Sequence, residues 1–238
     1  MSLNIGKCQV LTTCRLHTVS KFDYQLDSKN LDNVNQYKYL GIYVTSDLSW
    51  DTHINYICSK ANRALGFIKR QLGKCTQEVK LKAYLTLVRP HLEFASSCSC
   101  AWDPHFGVLV DQLEMVQRKA VRFVLNKYSR DESVTEMLAE LKLCSLELRR
   151  KQARLRLLFK IDHKETPLVT PLQLRLKSLQ RRNDNGHSYH HFVCHSEPFF
   201  SSFYPRTVRD WNALNSDLVS VSDIDTFSAH LEKMAASH

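Results

Sequence analysis

The chain has 238 residues, 43% apolar and 24% charged, with a formal net charge of +9, a composition that makes a folded, soluble protein of one large or two small domains the default. Its glycines stand at 6, 41, 66, 73, 107 and 186, never spaced to cradle a phosphate or a dinucleotide, so P-loop hydrolysis and Rossmann-type hydride transfer are excluded. No apolar run approaches the roughly 18 residues that span a bilayer, and "MSLNIGKCQV" lacks the apolar segment of a secretory leader. An intracellular, reduced protein, nuclear or cytoplasmic, is the expectation, with most of its cysteines serving as small apolar core residues.

Residues 1–48 carry the strand signals. "KCQVLTTC" alternates Cys8, Val10, Thr12 and Cys14, and "YQLD" with "SKNLDNVNQ" reads as a turn between extended pieces. In "YKYLGIYVTSDLSWDTHI", Tyr37, Tyr39, Ile42 and Val44 flank Gly41 in a run that suits a strand. Ser49 is placed to cap the helix that follows. From Trp50 the period changes to 3.6: Ile54, Cys58 with Ile57, Ala61, Leu65 and Ile68 form one apolar stripe, with Lys60, Arg63 and Arg70 off it and Gly73 at its end.

A second helix is expected from Thr76 to about Val88, stopped by Pro90. A third carries Leu109, Leu113, Val116, Ala120 and Val124 on one face. The capping box Ser133-Val134-Thr135-Glu136 opens a fourth, and a fifth runs from Ser145 to about His163. Periodicity lapses over 164–200, and two short helices close the chain. This divides the sequence into a β segment over 1–48, a helical bundle over 49–163, a polar, His-rich linker over 164–200 and a short helical segment over 201–238.

Charge is concentrated. Residues 145–182 hold eleven Lys or Arg against three acids, an excess that points to a polyanion, most often nucleic acid. On the fifth helix Leu148, Leu155 and Phe159 fall together, Arg149, Arg156 and Lys160 make an adjacent stripe, and Arg150 and Arg154 lie on another flank. With Lys60, Arg63 and Arg70, and with Arg118, Lys119 and Arg122 of the third helix, these are the candidate phosphate-contacting cations. The bland alternative is a solvated, ligand-free helix face.

Catalytic and metal signals are weak. His187, His190, His191, Cys194 and His195 lie within nine residues and lack the separate ligand pairs of a zinc site; a solvated loop is favoured. Cys98 and Cys100 are equally unconvincing as a pair. No Asp-Asp pair exists to hold two cations, and Asp131-Glu132 is explained by a helix dipole. No catalytic residue and no metal ligand is assigned. Trp102-Asp103-Pro104-His105 and Trp211-Asn212 are read as core-forming.

Taken in order, "SLNIGKCQVL", "YKYLGIYVTSDLSWDTHI", "SKANRALGFIKR", "AYLTLVRPHLEFAS", "AWDPH", "LEMVQRKAVRFV", "SLELRRKQARL" and "FYPRTVRDWNAL" resemble the C-terminal part of non-LTR retrotransposon reverse transcriptases, the jockey-like group in particular. The resemblance covers nearly the whole chain and is weakest over 164–200. It implies a mainly α fold, with a small N-terminal β-hairpin or palm-end β remnant over 1–48, a thumb-like bundle over 49–163 and a short helical tail. It also implies contact with an RNA–DNA or RNA duplex and with the palm and fingers portion, and no membrane partner. The family's catalytic Tyr-Ala-Asp-Asp precedes the segment resembling Lys7-Cys8, so the chain is expected to be inactive alone. Mg is expected only for the full-length enzyme, and no cofactor for this chain. Ser-Ser-Cys-Ser-Cys-Ala over 96–101, and Asn215 where the family commonly has Pro, depart from the pattern and suggest relaxed constraint. A helical protein-interaction module and a non-functional relic are the alternatives.

Overall fold

The computed structural model describes residues 4–13, 22–93, 102–129, 131–166 and 188–236. Among these the chain is mainly helical, and every strand lies between Gln9 and Thr45. The strands make three two-stranded ribbons: β1 (Gln9–Leu11) parallel to β4 (Asp32–Val34), β2 (Gln25–Leu26) with β3 (Lys29–Asn30), and β5 (Gln36–Tyr39) with β6 (Ile42–Thr45). The run around Gly41 pairs as two strands, in keeping with the small N-terminal hairpin expected there. Its turn holds Leu40 at φ 46° and Gly41 at φ 89°, the left-handed pair that a two-residue connection between twisted strands requires. Glycine adopts this without strain. Leu40 is held there against a preference of about 1–2 kcal/mol.

A lone two-stranded ribbon is marginal in water. Here α1 (Asp51–Gln71) covers it. Tyr43 meets Tyr56 edge-on with ring centroids 5.1 Å apart, the Tyr43 N–H donates to His53 Nδ1 at 3.4 Å, and Ile42 packs against the helical core. The apolar stripe of α1, Ile57 included, is buried as its spacing predicts. Ser49 does not cap the helix. Trp50 takes that position without a side-chain bond, while the Ser49 N–H donates to Asp47 Oδ1 at 3.0 Å and its carbonyl accepts from Thr45 Oγ1 at 2.9 Å. Local turn chemistry has claimed the residue.

Pro90 does not stop the second helix. Thr76 precedes α2 (Gln77–Ala83), a π turn spans Tyr84–Val88, and α3 (Arg89–Leu92) continues the helix through the proline. The Arg89 N–H reaches the Tyr84 carbonyl, five residues back. In a regular α-helix the Pro90 ring would crowd the Thr86 carbonyl and leave it unbonded; widening the ladder one turn earlier relieves that conflict.

α4 (Gly107–Leu125) buries its predicted face and ends at Asn126 with φ 56°. α5 (Val134–Glu140) opens on the expected box, Ser133 Oγ accepting the Glu136 N–H at 3.5 Å. α6 (Leu146–Asp162) is capped twice: Ser145 Oγ accepts the Leu148 N–H at 3.2 Å, and Glu114 of α4 accepts the Glu147 N–H at 2.9 Å. Most of the expected linker, residues 167–187, lies outside the described residues. Beyond it come α7 (Glu197–Phe200), α8 (Phe203–Asn212), α9 (Ser216–Val219) and α10 (Ile224–Ala236).

Two apolar cores share α6. Leu146 joins the core of α1 to α5, while Leu155, Leu158 and Phe159 join a second core built from α8, α9 and α10. Phe159 stacks on Phe227 at 4.6 Å, and burying such a ring contributes roughly 2 kcal/mol. Trp102 and Trp211 are buried, as core-forming residues should be. Asn212 fixes Tyr189, accepting its N–H at 2.9 Å and donating to its carbonyl at 2.8 Å. The expectation for cysteines is corrected: of the five described, only Cys58 is buried, because it alone falls on a helix's apolar stripe. Burial pushes its thiol up to about 11.

Candidate nucleic-acid interface

The hairpin places Lys38 against the first helix. Its Nζ donates to the Tyr56 hydroxyl at 2.8 Å and lies 4.3 Å from that ring's centroid and 5.3 Å from that of Tyr43. Lys60, one turn further along α1, approaches the same Tyr56 ring at 4.8 Å. The hydrogen bond from Lys38, then that from Lys60, draws the Tyr56 phenol below its ordinary value. Arg63 is exposed on the next turn. His91 of α3 lies near Lys60 and Arg63: burial lowers its pKa first, then the charges of those two side chains. Among the described residues no carboxylate pairs with Lys38, Lys60 or Arg63. Cations alternating with aromatic faces suit a phosphate backbone with bases beside it.

The remaining candidates divide. Arg70 is exposed at the end of α1. On α4, Lys119 is exposed, Arg118 lies 3.6 Å from Asp111, and Arg122 donates to the Ser129 carbonyl at 2.7 Å. Lys69 and Lys80 approach the Phe123 ring at 5.9 and 5.0 Å, a smaller cationic and aromatic group nearby. On α6, Arg149 pairs with Glu93 through Nε and Nη2, and Arg156 donates to Ser228 Oγ at 3.1 Å and Glu232 at 3.0 Å. Lys160 is exposed.

Arg150 and Arg154 are corrections to the surface set. Each side chain is only 3% exposed. Arg150 Nε donates to Asp103 Oδ1 at 2.8 Å, and Arg154 contacts Asp103 and donates to Asp210 Oδ2 at 2.7 Å. Arg206 of α8 reaches Asp103 Oδ2 at 3.2 Å. The row Leu146, Arg150, Arg154, Leu158 is the inward face of α6; two arginines occupy it because a buried carboxylate meets them there.

Sequence reasoning missed Lys38, Tyr43, Tyr56 and His91. The spacing of Tyr56 and Lys60, four apart on a helix, was the one signal available; Lys38 and His91 depend on tertiary placement. Among the described residues no group of three His, Cys, Asp or Glu side chains is arranged to hold a metal ion, and no helix is long and apolar enough to cross a membrane. No protein-family model, curated protein or solved structure matches the chain.

Proposed function

We propose that this chain binds an RNA–DNA or RNA duplex through its phosphates, as a thumb-like C-terminal piece of a non-LTR retrotransposon reverse transcriptase that leaves the phosphoryl-transfer carboxylates to another part of the polymerase. The observation that carries the reading is the pair Lys38 and Lys60 on the Tyr56 ring, with Tyr43 beside Lys38 and with Arg63 and His91 near Lys60, without a pairing carboxylate for the three cations among the described residues. Exposed Arg70, Arg118 and Lys119 extend the positive surface along α1 and α4. Neutralising phosphates releases condensed counterions, so affinity must fall as salt rises.

The test is fluorescence anisotropy of a labelled RNA–DNA hybrid titrated with the full chain across a salt series. A log–log slope of about −3 is expected, from three to four phosphate contacts. Affinity independent of salt, or no binding, contradicts the reading. A second reading draws on Tyr39 and Leu40 at the hairpin tip, 63% and 79% exposed: an apolar tip of this kind suits a protein partner, such as the palm and fingers portion. Self-association by light scattering without hybrid affinity favours that reading.

A further inference from the structure

One face of α1 alternates rings and cations. Tyr56, Lys60, Arg63, Phe67 and Arg70 follow one another at spacings of four, three, four and three. At about 100° per residue they share an arc of about 80° and run for about 21 Å along the helix. Asp51, in the first turn, is the one acidic residue of α1, and Lys60, Arg63 and Arg70 have no carboxylate partner among the described residues. Phe67 is the ring that the fold does not use. It is 53% exposed and belongs to neither core, whereas the Tyr56 ring already carries the ammonium groups of Lys38 and Lys60. The flank of Phe67 is open as well: a methyl group at Gly66 would meet Arg70 Nη1, 3.6 Å away, the end of a flexible side chain.

We infer that this face takes a single strand of nucleic acid, with an unpaired base stacked on Phe67 and the neighbouring phosphates held by Arg63 and Arg70. The inference rests on the reading of the chain as a nucleic-acid binder and adds to it the state of the bases. Inside a duplex each base is covered on both faces by its neighbours, so cations suffice there and a bare ring adds nothing. An unpaired base offers a free π-face, and stacking on it tolerates any sequence. Lys60 continues the phosphate track toward Lys38 and the hairpin. An apolar protein segment fits this face poorly. Covering Phe67 with it would strip water from the flanking guanidinium groups, which have no acid to meet.

The experiment is fluorescence anisotropy of the full chain with a blunt RNA–DNA hybrid, the same hybrid with a short thymidine overhang, the same with an abasic overhang of equal length, and the free thymidine strand. The abasic overhang keeps the phosphates and removes the bases. The thymidine overhang should bind about tenfold more tightly than the abasic one. Phe67→Ala should abolish that difference and Phe67→Trp should retain it, with blunt-hybrid affinity and melting temperature unchanged in both, since the ring lies outside both cores. Whether the free strand binds as tightly as the overhang sorts a free single strand from a hybrid's extension, and either upholds the inference. Equal affinity for the two overhangs, or a preference that survives Phe67→Ala, overturns it and leaves duplex binding standing. No binding of any probe overturns both, and self-association that depends on Phe67 would then assign the face to a second copy of the chain.

Discussion

Asp103→Asn is expected to destabilise the protein by about 3–5 kcal/mol, the cost of removing one partner from a buried ion pair. The carboxylate is 5% exposed and faces Arg150, Arg154 and Arg206. The nearby Asp210 is already shared by Arg154 at 2.7 Å and Lys151 at 3.1 Å. Asparagine keeps the volume and one acceptor but leaves guanidinium groups buried together with too little negative charge. Asp103 sits in the segment before α4, Arg150 and Arg154 on α6, and Arg206 on α8, so the loss reaches both cores. Urea unfolding followed by circular dichroism should show a lower midpoint at unchanged slope, and the melting temperature should drop by about 10 °C. A loss below about 1 kcal/mol would mean that the network contributes specificity and little stability.

Acid sensitivity is the second large effect. His53 is fully buried beside Trp102, 4.9 Å between ring centroids. Its Nδ1 accepts the Tyr43 N–H, and its Nε2 has no partner among the described residues. Burial, reinforced by the charge of Lys38, pulls it from 6.5 down to about 4. The unfolded chain therefore takes up this proton first as pH falls. The contribution is fully present above pH 6.5 and is lost between pH 6.5 and 4, about 3 kcal/mol in all. His91 and His105, both lowered first by burial, act in the same direction. His53→Phe should flatten the stability–pH curve over that window in urea titrations at several pH values. Equal acid slopes in parent and variant would show that His53 does not set it.

The sequence disclosed the helices because their apolar positions repeat at 3.6 residues. The stripes of α1 and α4 and the caps at Ser133 and Ser145 needed no tertiary information. Three features were hidden for separate physical reasons. Pro90 reads as a terminator by local sterics, and only the π turn before it permits the helix to continue. Arg150 and Arg154 read as surface cations because charge normally stays in water; their burial requires Asp103, some fifty residues away in sequence. Lys38 reaches Tyr56 through the hairpin's docking on α1, and His91 comes near Lys60 and Arg63 through the packing of α3 on α1, neither of which any spacing encodes. The candidate interface was thus legible in its α1 and α4 cations and illegible in its aromatic centre.

In the proposed interface, half-buried Lys60 and exposed Arg63 of α1 are the cations that meet phosphate. The most direct measurement compares hybrid affinity and its salt dependence for the parent chain and for Lys60→Glu with Arg63→Glu. The account predicts affinity at least about tenfold weaker and a salt slope shallower by about two, one for each lost phosphate contact. Parent-like affinity and slope in the double variant would contradict it.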